Sequence, residues 1–235
     1  MKICSGIYWD QGRREVNEDS LALIQVMTDR GRVVFALVSD GIGGLEEGET
    51  ASGYIAEKLV EIFYKQIMSL IGRRKGKRSI KKSILRCLYG VRQELVRYAA
   101  EREIRLGATV SVLLIWKRKY LIFHLGDSRI YLLGRKKTRL LTMDHSDGGN
   151  GLLKCLGSFP FQYPDISFGR IGGKKGFLLC TDGFYRRMDQ TSFEMLTPAE
   201  AGEDEQIEKR LQGIAASSLK KGETDNMTAV YIKVL

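Results

Sequence analysis

Apolar and polar positions along this chain fall into blocks whose period changes. Ser20–Met27 and Arg32–Ser39 are short apolar runs split by Thr28-Asp29-Arg30-Gly31. A turn of that composition between two such runs predicts a hairpin. Arg32–Ser39 is apolar at nearly every position, as expected of a central strand buried on both faces. It ends in the glycine turn Asp40-Gly41-Ile42-Gly43-Gly44, and the acidic stretch Glu46-Glu47-Gly48-Glu49 that follows suits a helix N-terminus. From Thr50 to Ile71 the period lengthens to three and four, through Ile55, Leu59, Ile62, Phe63 and Ile67. After the basic loop Gly72–Arg78 a second amphipathic helix is predicted over Ser79–Arg102, with Ile80, Ile84, Leu88, Val91 and Leu95 on one face. These two long helices are expected to be neighbours.

Strand patterns then dominate. Thr109–Trp116, Tyr120–Leu125, Arg129–Leu133 and Thr138–Leu141 are short, β-rich and separated by turn residues, which predicts an antiparallel meander. Gly176–Cys180 reads as another buried strand and runs into Thr181-Asp182-Gly183. A helix over Asp204–Lys221 and a strand over Met227–Val234 close the chain. Strands, two helices, many strands, helix, strand is an α+β order, unlike the βα alternation of a parallel sheet.

Composition narrows the class without naming a chemistry. The 235 residues are 43% hydrophobic and 28% charged, with 3 prolines and no linker-like stretch, so one domain over residues 1–235 is expected. The net charge of +10 attracts polyanions in general. Much of it sits in two runs, Arg73–Arg78 and Gly134–Arg139, which lack interleaved aromatics and read as solvated loops, with steering of acidic substrates as a further role. Specific nucleic-acid recognition is therefore not expected. Cys4, Cys87, Cys155 and Cys180 make no CxxC pair, which argues against structural zinc, and Cys180 reads as a buried small hydrophobe. No apolar run is long enough to span a bilayer, and the N-terminus lacks a signal-peptide core. A reduced, cytoplasmic protein is the simplest expectation. Oligomeric state is not legible.

Acidic residues stand at strand ends. Glu18-Asp19 lies just before a predicted strand, Asp40, Asp127 and Asp182 lie just after apolar ones, and Asp225 precedes the last strand. Glycine follows Asp40 and Asp182 and precedes Asp127. A lone Asp-Gly at a strand end is an ordinary turn. Several such carboxylates, brought together, would suit hard divalent cations such as magnesium or manganese, and a cation pair could activate water against a phosphoryl group.

The ordered set Gly12–Ser20 (GRREVNEDS), Val38–Gly44 (VSDGIGG), Gly107-Ala108-Thr109, Gly126–Ile130 (GDSRI), Leu141–Ser146 (LTMDHS), Thr181-Asp182-Gly183 and Asp225–Thr228 (DNMT) resembles the type 2C, metal-dependent serine/threonine protein phosphatase family in its compact bacterial form. The resemblance implies an antiparallel β-sandwich of two sheets flanked by helices on both sides, in αββα order. It implies two manganese or magnesium ions, with a weaker third. By position, Arg14 would grip the substrate phosphate, Glu18 would bind one metal partly through water, Asp40 would bridge both, and the Gly41 carbonyl would add a ligand. Asp182 and Asp225 would bind the other metal, and Asp127 would help hold the third. Asp19 would support the site from behind, and Asn226 would orient Asp225. The implied mechanism is in-line attack by a metal-bridging hydroxide on phosphoserine or phosphothreonine, with no covalent phosphoenzyme. A Ser/Thr kinase and its targets are the implied partners.

Two departures stand out. Ile42 occupies the place where many eukaryotic members carry a histidine after Asp-Gly, although an apolar residue there is common in bacterial members. Only Ser146–Lys154 separates His145 from Cys155-Leu156-Gly157, where relatives usually carry a long flap. His124 is expected to pack in the core and His145 to be structural or beside the site. Two other readings remain: a non-catalytic phosphoprotein-binding regulatory module of the same fold, and a metal-dependent nuclease or nucleic-acid binder.

Overall fold

The computed structural model describes residues 1–42, 47–147, 152–157 and 161–235. Its strands, in chain order, are β1 (Ile3–Asp10), β2 (Asp19–Thr28), β3 (Gly31–Asp40), β4 (Val110–Trp116), β5 (Lys119–Leu125), β6 (Arg129–Leu133), β7 (Thr138–Leu140), β8 (Asp165–Arg170), β9 (Lys175–Cys180) and β10 (Met227–Val234). The helices are α1 (Gly48–Ile62), α2 (Met68–Gly72), α3 (Lys77–Arg102), α4 (Asp182–Tyr185), α5 (Gln190–Met195) and α6 (Asp204–Lys220). A π-helical turn, Phe63–Ile67, joins α1 to α2, so the predicted helix over residues 50–71 is continuous but widened at one place.

Every ladder is antiparallel, in two five-stranded sheets ordered β2-β3-β4-β5-β8 and β1-β10-β9-β6-β7. The Ser20–Met27 and Arg32–Ser39 runs form the expected hairpin, and β3 lies between β2 and β4, buried on both faces. Its odd-numbered Val33, Phe35 and Leu37 face α1 and α3, packing against Ile55, Leu59, Ile84 and Leu88. Its even-numbered Val34, Ala36 and Val38 face the second sheet and meet Leu179, Val230 and Ile232. The outer face of the second sheet, with Leu178 and Tyr231, is covered by Ile207, Leu211 and Ile214 of α6. Period-2 burial in strands and period-3.6 burial in helices thus build four layers in αββα order.

The meander departs from expectation in one respect. β4 and β5 pair as neighbours, but β6 leaves their sheet and pairs with β9 and β7 in the other. The crossing occurs at Gly126, whose φ of +109° suits glycine and where a Cβ would stand 2.5 Å from the Thr109 side chain. β1, β8, α4 and α5 had no clear periodic signal: β8 is an edge strand with exposed and half-buried positions throughout.

Candidate metal and phosphate site

Sequence-distant motifs interlock at one end of the sandwich. The Asp40 backbone is held by Thr109 twice: Asp40 N–H donates to Thr109 Oγ1 (2.9 Å) and Thr109 N–H donates to Asp40 O (2.8 Å). Thr109 Oγ1 in turn meets Ser128 Oγ at 2.8 Å, which links the Gly-Ala-Thr and Gly-Asp-Ser stretches. Gly41 N–H donates to Glu18 O, and a Cβ at Gly41 would fall 2.5 Å from the Gly48 carbonyl oxygen. Thr181 Oγ1 donates to Asp19 Oδ2 at 2.9 Å. At Gly183 a Cβ would lie 2.2 Å from Asn226 O, so glycine there lets the Asp182 turn pack against the Asp225 loop.

The result is a cleft of about 820 Å³ lined by Arg14, Glu18, Asp40, Gly41, Asp127, Asp182 and Asp225, the phosphate and metal positions singled out in the sequence. Asp19 lies behind them, buried, beside Asp40 in the β2–β3 register. The carboxyls oppose one another electrically. Burial pushes Asp40 well up, and Asp19, Asp182, Asp127 and Asp225 push it further. Burial raises Asp19 to about 7 and Asp182 to about 6, and also raises Glu18 and Asp127.

Cationic side chains answer this charge. Arg14 Nη2 stands 3.0 Å from Asp225 Oδ1. Arg186, one turn after Asp182, pairs with Asp182 Oδ2 and approaches Asp225 Oδ2 at 3.7 Å and Glu223 Oε1 at 3.2 Å. Arg186 was not singled out in the sequence, where nothing separated it from other surface arginines. Its position at i+4 from a candidate ligand was the available signal. Arg129, also unforeseen, forks onto Asp144 at 2.7–3.2 Å, and its guanidinium lies 3.9 Å from the Tyr185 ring centroid.

Asn226 has a wider job than orienting Asp225. Its backbone N–H donates to Asp225 Oδ1 (3.0 Å), while its side chain accepts from Glu18 N–H and donates to the carbonyls of Gln11 and Val16. It therefore staples the loop that carries Arg14 and Glu18 to the start of β10. His124 is a core residue, as expected, between Ser111 Oγ (2.9 Å) and Met143 O (3.0 Å), and burial lowers it to about 4. His145 is also buried, stacked on His124, with Nδ1 accepting from Gly126 N–H.

Where relatives were expected to carry a flap, Ser146 pairs with Leu152, and Leu153 N–H donates to His145 O at 2.7 Å. Residues 148–151 of that segment lie outside the described residues, as do Gly43, Gly44 and Glu46. Among the described residues no three His, Cys, Asp or Glu side chains stand grouped as ligands around one point. The donor set nevertheless fits a divalent cation. It is all oxygen, its members repel one another, and the buried Asp19 Oδ1 has no hydrogen-bond partner.

The cleft is acidic, flanked by arginines and set at one end of an αββα sandwich, and the class of protein it belongs to is that of the protein phosphatases. The chain belongs to the protein phosphatase 2C family, whose model matches residues 11–216. It is 25% identical to a "Serine/threonine phosphatase stp" of Listeria welshimeri, over 95% of this chain and 93% of that one. A "Putative protein phosphatase" of Mycoplasma genitalium is 22% identical over 84% of each chain. Among solved structures, Stp1 of Staphylococcus aureus superposes with a TM-score of 0.84 at 19% identity, covering 100% of this chain and 96% of that one. The catalytic domain of the phosphatase PstP, in complex with two manganese ions, superposes with a TM-score of 0.79 at 22% identity, covering 99% and 98%.

Proposed function

We infer that this chain removes phosphate from phosphoserine and phosphothreonine on proteins, as one catalytic domain with a pair of manganese or magnesium ions. The observation that carries the reading is the convergence of Glu18, Asp40, Asp127, Asp182 and Asp225, from segments spread over both sheets, on one cleft beside Arg14. Glu18, Asp40, the Gly41 carbonyl, Asp182 and Asp225 would hold the ion pair, and Asp127 a third ion. When bound, such a pair supplies a water nucleophile of hydroxide strength and neutralises phosphoryl charge.

The chain's own residues set the rest. Arg14 is half-exposed at the cleft edge and offers a planar fork to two phosphoryl oxygens. Asp225 keeps that guanidinium at hand in the absence of substrate. Asn226 fixes Arg14's loop, so the phosphate contact and the carboxylates move as one unit. Ile42 and Leu152 give the cleft two apolar walls. No histidine lines it among the described residues, so no imidazole is available to protonate the leaving alkoxide.

The test is hydrolysis of p-nitrophenyl phosphate and of a phosphothreonine peptide with added manganese, for the parent chain and for Asp40→Ala. Manganese-dependent turnover of both, abolished by the substitution, is expected. A folded parent protein that binds the phosphopeptide without turning it over would instead establish a non-catalytic phosphoprotein-binding module.

A further inference from the structure

The first basic run does not lie in a featureless loop. Residues after α2 and at the start of α3 meet the β4–β5 turn and the end of β8 around a pocket of about 660 Å³. Six cations line it: Arg74, Lys75, Lys77, Lys117, Lys119 and Arg170. No carboxylate does, and among the described residues none of the six forms an ion pair. Its remaining wall is aromatic. Trp116, Tyr120 and Phe168 line it, Phe168 is 63% exposed, and Lys77 Nζ sits 3.0 Å from the Phe168 ring centroid. Arg139, at the end of the second basic run, donates to Tyr120 Oη at 3.3 Å.

The backbone bears a cost to keep these cations here. Lys117 and Arg118 make the two-residue turn between β4 and β5 with φ of +47° and +56°, where Asn-Gly would sit with less strain. Arg74 has φ of +58°. Left-handed backbone at a non-glycine residue costs of order 1 kcal/mol. Arg118 offsets it by donating to the carbonyls of Ile171, Leu235 and Gly173. Lys117 is exposed and makes no such bond among the described residues, so its charge faces the pocket without a structural partner. The first turn of α3 adds to the imbalance, with no acidic residue and no side-chain cap.

The pocket and the acidic cleft lie at opposite ends of β5, Lys119 and Tyr120 at its start and Asp127 just past its end. The strand is about 20 Å long. That exceeds two screening lengths of about 8 Å at physiological salt, so these cations do little to steer substrate into the cleft. A volume in the small-ligand range, clustered uncompensated cations and an aromatic wall together match a polyphosphate joined to a flat ring. A long nucleic acid would instead call for a basic stripe along the surface. We propose that this pocket is a second, non-catalytic binding site for a nucleoside polyphosphate.

Isothermal titration of the full chain with ATP and with GTP, in chelator and at about 150 mM salt, tests it. Saturable binding is expected, weakened about tenfold or more by the double substitution Lys75→Glu, Lys77→Glu, weakened by Phe168→Ala, and unchanged by Arg14→Ala in the cleft. Circular dichroism checks that these surface variants remain folded. Absence of binding up to about 1 mM, or binding that survives the charge reversal, overturns the proposal. So does loss of binding in Arg14→Ala, which would place the ligand in the cleft. Tripolyphosphate binding as tightly as the nucleotides would remove the aromatic half of the assignment. Duplex DNA binding more tightly and displacing them would replace it with a nucleic-acid surface.

Discussion

The two ends of β5 carry opposite charge and manage it differently. At the Asp127 end, carboxylates crowd together, and Arg14, Arg129 and Arg186 each reach one of the acidic side chains there. At the Lys119 end, cations gather with no acidic partner among the described residues. The first cluster is compensated within the fold in part: burial first, and the neighbouring carboxyls after it, still raise Asp40, Asp19 and Asp182. The second is left to solvent or to a ligand. A net charge of +10 describes neither end. What matters chemically is where like charges are held together and whether anything in the chain answers them.

The most damaging way to break the acidic end is Asp40→Asn. Turnover of p-nitrophenyl phosphate is expected to fall by roughly 10³-fold, because in the proposed reaction Asp40 would supply a charge aimed at the reacting centre. The metal-free protein should melt no lower than the parent, since one member of a repelling set is gone. A melting temperature that drops sharply would mean that Asp40 supports the fold instead.

Arg186→Ala sharpens the role of the internal cation. Deleting the guanidinium that spans Asp182 and Asp225 should tighten manganese binding about tenfold by calorimetry, because on the proposed reading an ion would compete with the guanidinium for the same oxygens. Weaker binding would show that Arg186 holds Asp182 in place for the ion.

Asn226→Ala tests how firmly the Arg14 loop is tied down. It leaves Glu18 N–H and the carbonyls of Gln11 and Val16 without their partner and should cost about 2 kcal/mol in denaturant unfolding. An unchanged midpoint would mean that water takes over the staple.

Protonation separates the cleft from the core. Asp19 and Asp182, raised to about 7 and about 6 from 3.8, hold protons in the native state that the unfolded chain has already released. Their contribution is full below the unfolded value and is lost as pH rises through the folded one. His124, lowered to about 4 from 6.5, has the opposite sign and acts only on acidification below 6.5. In chelator, Asp19 and Asp182 should therefore lower the melting temperature as pH rises from about 4 to about 7, against the opposing rise from His124 below 6.5, with a shallower fall in Asp19→Asn. Equal slopes would remove Asp19 from the account.

The smallest effect belongs to the basic end. Lys75→Glu with Lys77→Glu should leave p-nitrophenyl phosphate turnover within about twofold, since the pocket lies well beyond the screening length from the cleft. A larger loss would couple the two ends of β5 and break the contrast between them.

Much of this architecture is legible in the chain's residue pattern. The apolar run at residues 32–39, flanked by turn residues, predicts β3 and its burial on both faces, because a strand covered by a helix layer and a second sheet has no polar face. The motifs mark Arg14, Glu18, Asp40, Gly41, Asp127, Asp182 and Asp225, and all of them line one cleft. Arg186 and Arg129 have no signature in the sequence, because an arginine just past a short helix or at the first position of a strand carries no pattern of its own. Their importance comes from reach, and reach depends on what the fold sets beside them. The first basic run reads as a solvated loop for the same reason: nothing local says that Arg74–Lys77 will line one pocket with Lys117 and Phe168.

Residue order alone carries most of the elements, their amphipathic faces, the strand-end acids and the family, since each depends on short-range periodicity or on ordered motifs. Folding in three dimensions settled that β6 crosses to the second sheet at Gly126, that Asn226 ties the first loop to the last strand, and that one end of β5 is acidic and the other basic. The Asn226 staple alone joins residues 208 to 215 positions apart. Local preference is blind to such contacts, because they form only when two separately buried faces close on each other.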